Sequence, residues 1–202
     1  MKRRILNTAF FDRRTPLVAK ELLGKFLIRK VGRRKIAGMI TEVEAYVGLK
    51  DKASHASRGK TERTKVMFGK PGNWYVYLIY GMHYCLNIVT EKEAYPAAIL
   101  IRSVAIPQKH SNILKNVGMF FVRGPGRVCK YFKIDKSFNA KLADKKTGLW
   151  VAAHDNGRAS PKSIWAGGSK INPRQIKRGK RIGVDYAGKW KDKLWRFYLL
   201  KQ

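Results

Sequence analysis

Two glutamates and a tyrosine in the stretch ITEVEAYVG are the first residues of this chain whose types and spacing suggest chemistry. Alternation along a strand turns Thr41, Val43, Ala45 and Val47 to one side and Glu42, Glu44 and Tyr46 to the other. Burying the apolar side then presents two carboxylates and an aromatic ring together. A solvated edge face, on which glutamates are ordinary, is the competing reading. Two features weigh against it. Only 13 of the 202 residues are acidic, so two beside one ring is a concentration. A carboxylate on a surface otherwise selected to be positive also needs a reason to stay. Glycosidic hydrolysis supplies such a reason: a carboxylate orients and deprotonates water while its charge stabilises the oxocarbenium-like sugar carbon. A departing base would need apolar walls and stacking partners, which tyrosine and histidine provide.

A second cluster lies in NWYVYLIYGMHYCLNIV, the most apolar segment. Its β-branched and aromatic residues favour strands, and the glycine within Tyr80-Gly81-Met82-His83 suggests a hairpin turn. Tyr80 and Met82 then sit at an exposed tip, where apolar groups need a receiver. A DNA base stack entered by a wedge is one receiver. The tip's own domain or a partner subunit is the other, and the pattern does not choose.

Charge narrows the partner. The chain has 44 Lys+Arg against 13 Asp+Glu, a formal net charge of +31. The excess is no tail: residues 1–100 hold 20 basic and 8 acidic residues, and 101–202 hold 24 and 5. Because 45% of the residues are hydrophobic, this charge is carried by a chain built to fold, and self-repulsion asks for a polyanion. Charge alone does not separate a ribosomal protein, a chromatin protein and a nucleic-acid enzyme. No apolar run is long enough to span a membrane, no amphipathic helix concentrates charge for a membrane surface, and MKRRILNTAFFDRR lacks a signal-peptide core. Cys85 and Cys129 stand apart, with no CxxC or Cys/His ligand set, and read as small buried hydrophobes of an intracellular protein; neither a metal nor a cofactor is expected.

The elements that must position these residues follow from local pattern. Thr15-Pro16 reads as an N-cap and first helical proline, with Gly24 ending a helix over roughly Pro16–Leu23. KFLIRKV and KIAGMITEVEAYVG form a hairpin, followed by a polar loop, KDKASHASRGKTERTK. AAILIRSVAI is a strand, and Pro125 in GPGRVCKYFKI starts a helix. A weakly patterned stretch precedes two more strands, KRIGVDYAG and LWRFYLL. With no repeat or linker, the sum is an α+β fold over residues 1–202: a single domain with a mainly antiparallel sheet and short helices around it.

ITEVEAYVG, DKASHASRG, VMFGKPGNWYVYLIYGMHYCLN, AAILIRSV, RGPGR and RIGVDYAG fall in the order and spacing of the alkyladenine (3-methyladenine) DNA glycosylases. The chain resembles that family from about Phe10 to Leu200 and does not resemble the helix-hairpin-helix glycosylases. The resemblance implies a curved antiparallel sheet with a protruding hairpin. It implies a monofunctional enzyme that flips a damaged purine from double-stranded DNA and hydrolyses its N-glycosidic bond. The lesions would be 3-methyladenine and, by extension, hypoxanthine, ethenoadenine and 7-methylguanine. By motif position, Glu44 corresponds to the general base, holding water with Arg102 and the main-chain carbonyl of Val184. Tyr46 corresponds to one stacking face, and His55 and Tyr77 to the other. Asn87 corresponds to the residue that crowds out the guanine 2-amino group. Tyr80, with Met82 beside it at the hairpin tip, corresponds to the residue that fills the gap left by the flipped nucleotide. Glu42 carries no role, and His83, His110 and His154 are ordinary. Glu62, Thr64 and Asp185 depart from the usual pattern, which bears on loop conformation and lesion preference. The N-terminal extension of some eukaryotic members is missing, which fits a minimal bacterial form, a monomer acting in the cytoplasm at the nucleoid. The alternative is a nucleic-acid-binding scaffold that has lost activity, against which Glu44, Arg102, Tyr46, His55 and Asn87 all speak.

Overall fold

The long run KIAGMITEVEAYVG becomes the spine of the molecule, a strand β3 at Arg34–Val47 in a computed structural model that describes residues 3–107, 119–154 and 173–200. On one side β3 pairs antiparallel with β2 (Phe26–Val31) through its first half and with β10 (Arg196–Leu199) through Glu42, Val43 and Glu44. On the other side it pairs with β6 (Ala97–Pro107) from Met39 to Val47. Strand β6 divides its free edge likewise, between β5 (His83–Val89) and β7 (Met119–Arg123). Strand β4 (Trp74–Ile79) closes the hairpin with β5. Beyond β2 lie β8 (Leu149–His154) and β1 (Arg3–Ile5), and β9 (Ile176–Gly179) flanks β10. The branching sheet is curved and antiparallel, in an α+β fold.

Alternation assigns the two faces. Val43, Ala45, Trp74, Val76, Leu86, Ile88, Ile99 and Ile101 point into the main core. Helix α1 (Thr8–Phe11) adds Phe11, α2 (Thr15–Leu22) adds Val18, Ala19 and Leu22, and α3 (Pro125–Phe132) adds Val128, Cys129 and Phe132. Each Val, Leu, Ile or Phe among them, fully buried, contributes about 1.5–3 kcal/mol of transfer free energy. Trp74, with no exposed surface, also needs a partner for its indole N–H, and the Leu149 carbonyl accepts it at 3.0 Å. Both cysteines are free and buried. No helix among the described residues is long and apolar enough to cross a membrane.

Four expectations need correction. Arg14, not Thr15, is the N-cap of α2. The Thr15 hydroxyl instead donates to Glu91 at 2.5 Å and meets Thr90 at 3.0 Å, and the Thr15 N–H donates to the same Glu91 oxygen at 2.9 Å, so a long-range carboxylate orients this residue. KRIGVDYAG is not a strand: β9 ends at Gly179, Gly183 has φ +73°, and Asp185–Asp192 forms 3-10 turns broken at Gly188. There, side chains replace the ladder, since Arg181 pairs with Asp51 and the Ile182 N–H donates to Glu44. The alternation of ITEVEAYVG also breaks at its start. The β3–β6 register slips around Thr41 and Glu42, and both residues line one small cavity with Ser103 and Tyr198. Finally, β8 appears where the pattern looked weak. It is apolar on both faces, Leu149, Val151 and Ala153 entering one core and Trp150 and Ala152 another, so no period-2 contrast shows.

Candidate active site

The site begins as a row of residues across the sheet face turned away from the main core. The pairings Glu44–Leu100, Leu100–Asn87 and Asn87–Tyr75 run through β3, β6, β5 and β4. Directly paired residues of antiparallel strands project from the same face. The neighbouring pairs Tyr46–Ala98 and Tyr77–Cys85 extend it. Above this floor a pocket is closed by Ser54 and His55 on one loop, by Ile182, Gly183 and Val184 on another, and by Arg102 and Pro125. Tyr46, His55, Tyr77, Asn87, Arg102 and Val184 thus all line one pocket.

Glu44 stands one hydrogen bond behind that lining, with no exposed surface. Its Oε2 accepts from the Tyr46 hydroxyl at 2.8 Å and from Arg102 Nη1 at 3.2 Å, and its Oε1 accepts the Ile182 N–H at 2.8 Å. The β-bulge explains Arg102. Glu42 faces Ser103 and Val43 faces Ile101, so Arg102 has no partner in the ladder and its side chain is turned toward both glutamates. Its Nε lies 3.3 Å from Glu42 Oε1, which also stands 3.5 Å from Arg196 Nη1. Burial pushes the Glu44 carboxyl above the ordinary carboxylate range. Arg102, the Ile182 N–H and the Tyr46 hydroxyl pull it back, and Glu42 adds to the rise. Val184 packs on Ala53 and Ala187, and its carbonyl accepts the Ala187 N–H at 2.9 Å.

The opposite wall is aromatic. The His55 and Tyr77 rings meet edge to face, centroids 4.7 Å apart, and Tyr75 lies 5.2 Å from Tyr77. His55 Nδ1 is 3.0 Å from the Tyr75 hydroxyl, and Arg63 lies over the Tyr77 ring at 4.9 Å. Burial, and then the charges of Arg63 and Arg58, push the imidazole down to about 4, so His55 is neutral at physiological pH. A neutral ring there does not repel a cationic guest. Asn87 is almost fully buried, and its amide donates to the Tyr75 carbonyl at 3.1 Å.

Tyr80 and Met82 are not in the pocket. They occupy the β4–β5 tip, 83% and 70% exposed, so the tip does not tuck against its own domain. Tyr80 has φ +53° and Gly81 φ +68°, and the Met82 N–H closes the turn on the Ile79 carbonyl at 3.2 Å. Positive φ at a bulky aromatic residue costs about 1–3 kcal/mol, and such strain clusters at functional sites. Of the histidines called ordinary, His83 begins β5 and packs near Gly126, and His110 lies outside the described residues. Several pocket residues escaped the sequence reading: Tyr75, Cys85, Tyr186 and the Ile182 amide. Tyr75 was accessible, two residues before Tyr77 on the same strand face. The Ile182 amide left no mark, since any residue but proline supplies one.

Comparison with known proteins identifies the family. The methylpurine-DNA glycosylase family matches residues 9–202. Proteins named "Putative 3-methyladenine DNA glycosylase" are similar over nearly the whole chain. That of Legionella pneumophila (strain Corby) is 43% identical, covering 97% of this chain and 94% of its own length. That of Methanocella arvoryzae is 41% identical, covering 96% and 92%. That of Desulfitobacterium hafniense is 39% identical, covering 98% and 96%. A match of this extent means that the chain belongs to the methylpurine-DNA glycosylase family and is a DNA glycosylase of DNA repair.

Proposed function

We propose that the chain, as a single monomeric domain needing no cofactor, flips an alkylated or deaminated purine out of duplex DNA and hydrolyses its N-glycosidic bond with water activated by Glu44. The observation that carries this reading is the Glu44 carboxylate, buried behind an aromatic pocket and held on three sides. An ionised carboxylate offers about four acceptor positions, and three of Glu44's are used, which leaves one for water. The Val184 carbonyl likewise keeps one lone pair after bonding Ala187. Water donating to both, beside the Arg102 guanidinium, has its own lone pair free for C1′. As the C1′–N bond breaks, its electron pair leaves with the base. Oxygen bonds C1′, and the water proton passes to Glu44 and then to solvent. A cationic 3-methyladenine or 7-methylguanine departs neutral. Hypoxanthine or ethenoadenine also needs a proton at the base.

Tyr46 on one side and His55 with Tyr77 on the other would sandwich the flipped ring, while Tyr80, with Met82, fills the gap in the stack. The test is a duplex with one hypoxanthine, or one 7-methylguanine, incubated with the protein and treated with alkali. Strand cleavage only after alkali is the expected result. Strands left uncleaved with both lesions would leave a DNA-binding scaffold without this chemistry.

A pH profile checks the base. The carboxyl must be ionised, and its pKa is raised by burial. Single-turnover release of 7-methylguanine therefore falls as pH drops through a value above the ordinary carboxylate range. His55, neutral down to about 4, adds no limb near neutrality. An acid limb at the usual position of an exposed glutamate would count against the assignment. A salt series checks the charge. Log affinity for undamaged duplex is expected to fall linearly with log salt, by about 0.9 per phosphate neutralised, with a slope reflecting several phosphates. A slope near zero would detach the +31 from DNA.

A further inference from the structure

We propose that the buried Asp51–Arg181 ion pair is a positioning device for base release: it seats the Ile182 amide against Glu44 and ties the His55 loop to the strand that carries Glu44 and Tyr46. The proposal rests on the role given to Glu44 above. Neither side chain has exposed surface. Arg181 Nη1 donates to Asp51 Oδ2 at 2.5 Å and to the Ala45 carbonyl at 2.9 Å. Its Nη2 donates to Asp51 Oδ1 at 2.8 Å and to the Trp190 carbonyl at 3.1 Å. Asp51 in turn accepts the Val47 N–H and the Ala53 N–H, each at 3.1 Å. The guanidinium lies 4.9 Å from the Tyr46 ring centre and 5.2 Å from that of Trp195.

One pair thus joins three separate pieces of chain. Ala45, Tyr46 and Val47 belong to the end of β3, next to Glu44. Asp51 and Ala53 lead within two residues to His55. Arg181 immediately precedes the Ile182 amide that holds Glu44 Oε1. Stability alone does not call for such a pair, because well-packed apolar side chains often replace a buried ion pair without loss. What they do not replace is direction. The four terminal N–H groups of a planar guanidinium reach four fixed acceptor positions, and a lysine ammonium has three donors on a point charge. Loss of that geometry would let the 181–184 segment drift, and with it the hydrogen bond that favours ionised Glu44.

The groups facing Glu44 from the surrounding elements are Arg102 on β6, Tyr46 and Glu42 on its own strand, Cys85 on β5 and Arg196 opposite it on β10. Of these, Tyr46 also meets residue 181, its ring centre 4.9 Å from the guanidinium, and Arg181→Lys keeps a cation beside it. In Arg181→Lys, and in Asp51→Asn as a second variant of nearly unchanged volume, single-turnover release of 7-methylguanine is expected to fall on the order of 10²-fold. The acid limb moves to higher pH, because Glu44 loses a donor to its charged form. Affinity for undamaged duplex stays at the wild-type value. The Ile182 amide resonance, which follows Glu44 ionisation in the wild type, no longer does so in the variants. A lower melting temperature with an unchanged rate per folded molecule, acid limb and Ile182 titration would make the pair a structural tie only and overturn the proposal. Wild type and Glu44→Gln are run alongside. A wild type that releases no base, or a Glu44→Gln that releases it normally, overturns the Glu44 mechanism instead.

Discussion

Glu44→Gln is expected to retain duplex binding while base release falls by about 10²–10⁴-fold, the usual share of a general base. The amide matches the carboxylate in size. It can still accept from Arg102 or from the Ile182 amide, so the pocket keeps its shape; what disappears is the ability to take a proton from water. The contrast with Glu42 makes the test specific. Glu42 sits two residues away on the same strand but reaches Arg102 Nε and Arg196 Nη1 instead of the pocket, and it is about one-fifth exposed. Its amide variant loosens Arg102 without removing the proton acceptor, and a much smaller loss of rate is expected. Single-turnover rates for 7-methylguanine, with binding measured separately, decide the matter. If Glu42→Gln were the more damaging change, the two carboxylates would exchange roles.

The sequence was informative where function rests on side-chain type and period, and silent where it rests on backbone. Glu44 and Tyr46 lie on a strand whose alternation sets both on the face away from the core, the hairpin tip is marked by its glycine, and Tyr77 and Asn87 came from the family resemblance alone. The part of the pocket floor on β3 was therefore legible as one strand face. The bulge that turns Arg102 between two glutamates was not, because a register slip inserts no unusual residue. The 180–188 segment misled for a related reason. Its Ile, Val and Tyr suit a strand, yet buried partners for Arg181 and the Ile182 amide outweigh that local preference. Asp51 was visible only as one scarce acid in a polar loop. Its meaning lies 130 residues further on, at Arg181.

Asn87→Ser is expected to weaken discrimination between hypoxanthine and guanine, which differ only by the 2-amino group. Asn87 is held between Tyr75 and Leu100 in the floor, and its amide is tied to the Tyr75 carbonyl, so it has little freedom to withdraw. A fixed side chain that occupies the volume of the extra group penalises guanine and asks nothing of hypoxanthine. Shortening it removes the obstacle. Room for one small group is worth roughly 10–200-fold in such pockets, and the change in the ratio of the two rates is expected within that range. Guanine release should emerge first from mispairs, where the base is cheaper to unstack. Hypoxanthine release changes less, because Glu44, Arg102 and the aromatic walls are untouched. Single-turnover rates for both bases, in wild type and Asn87→Ser, give the ratio directly. An unchanged ratio would remove Asn87 from selectivity and shift attention to the remaining floor residues, Leu100 and Tyr75, without disturbing the assignment of Glu44.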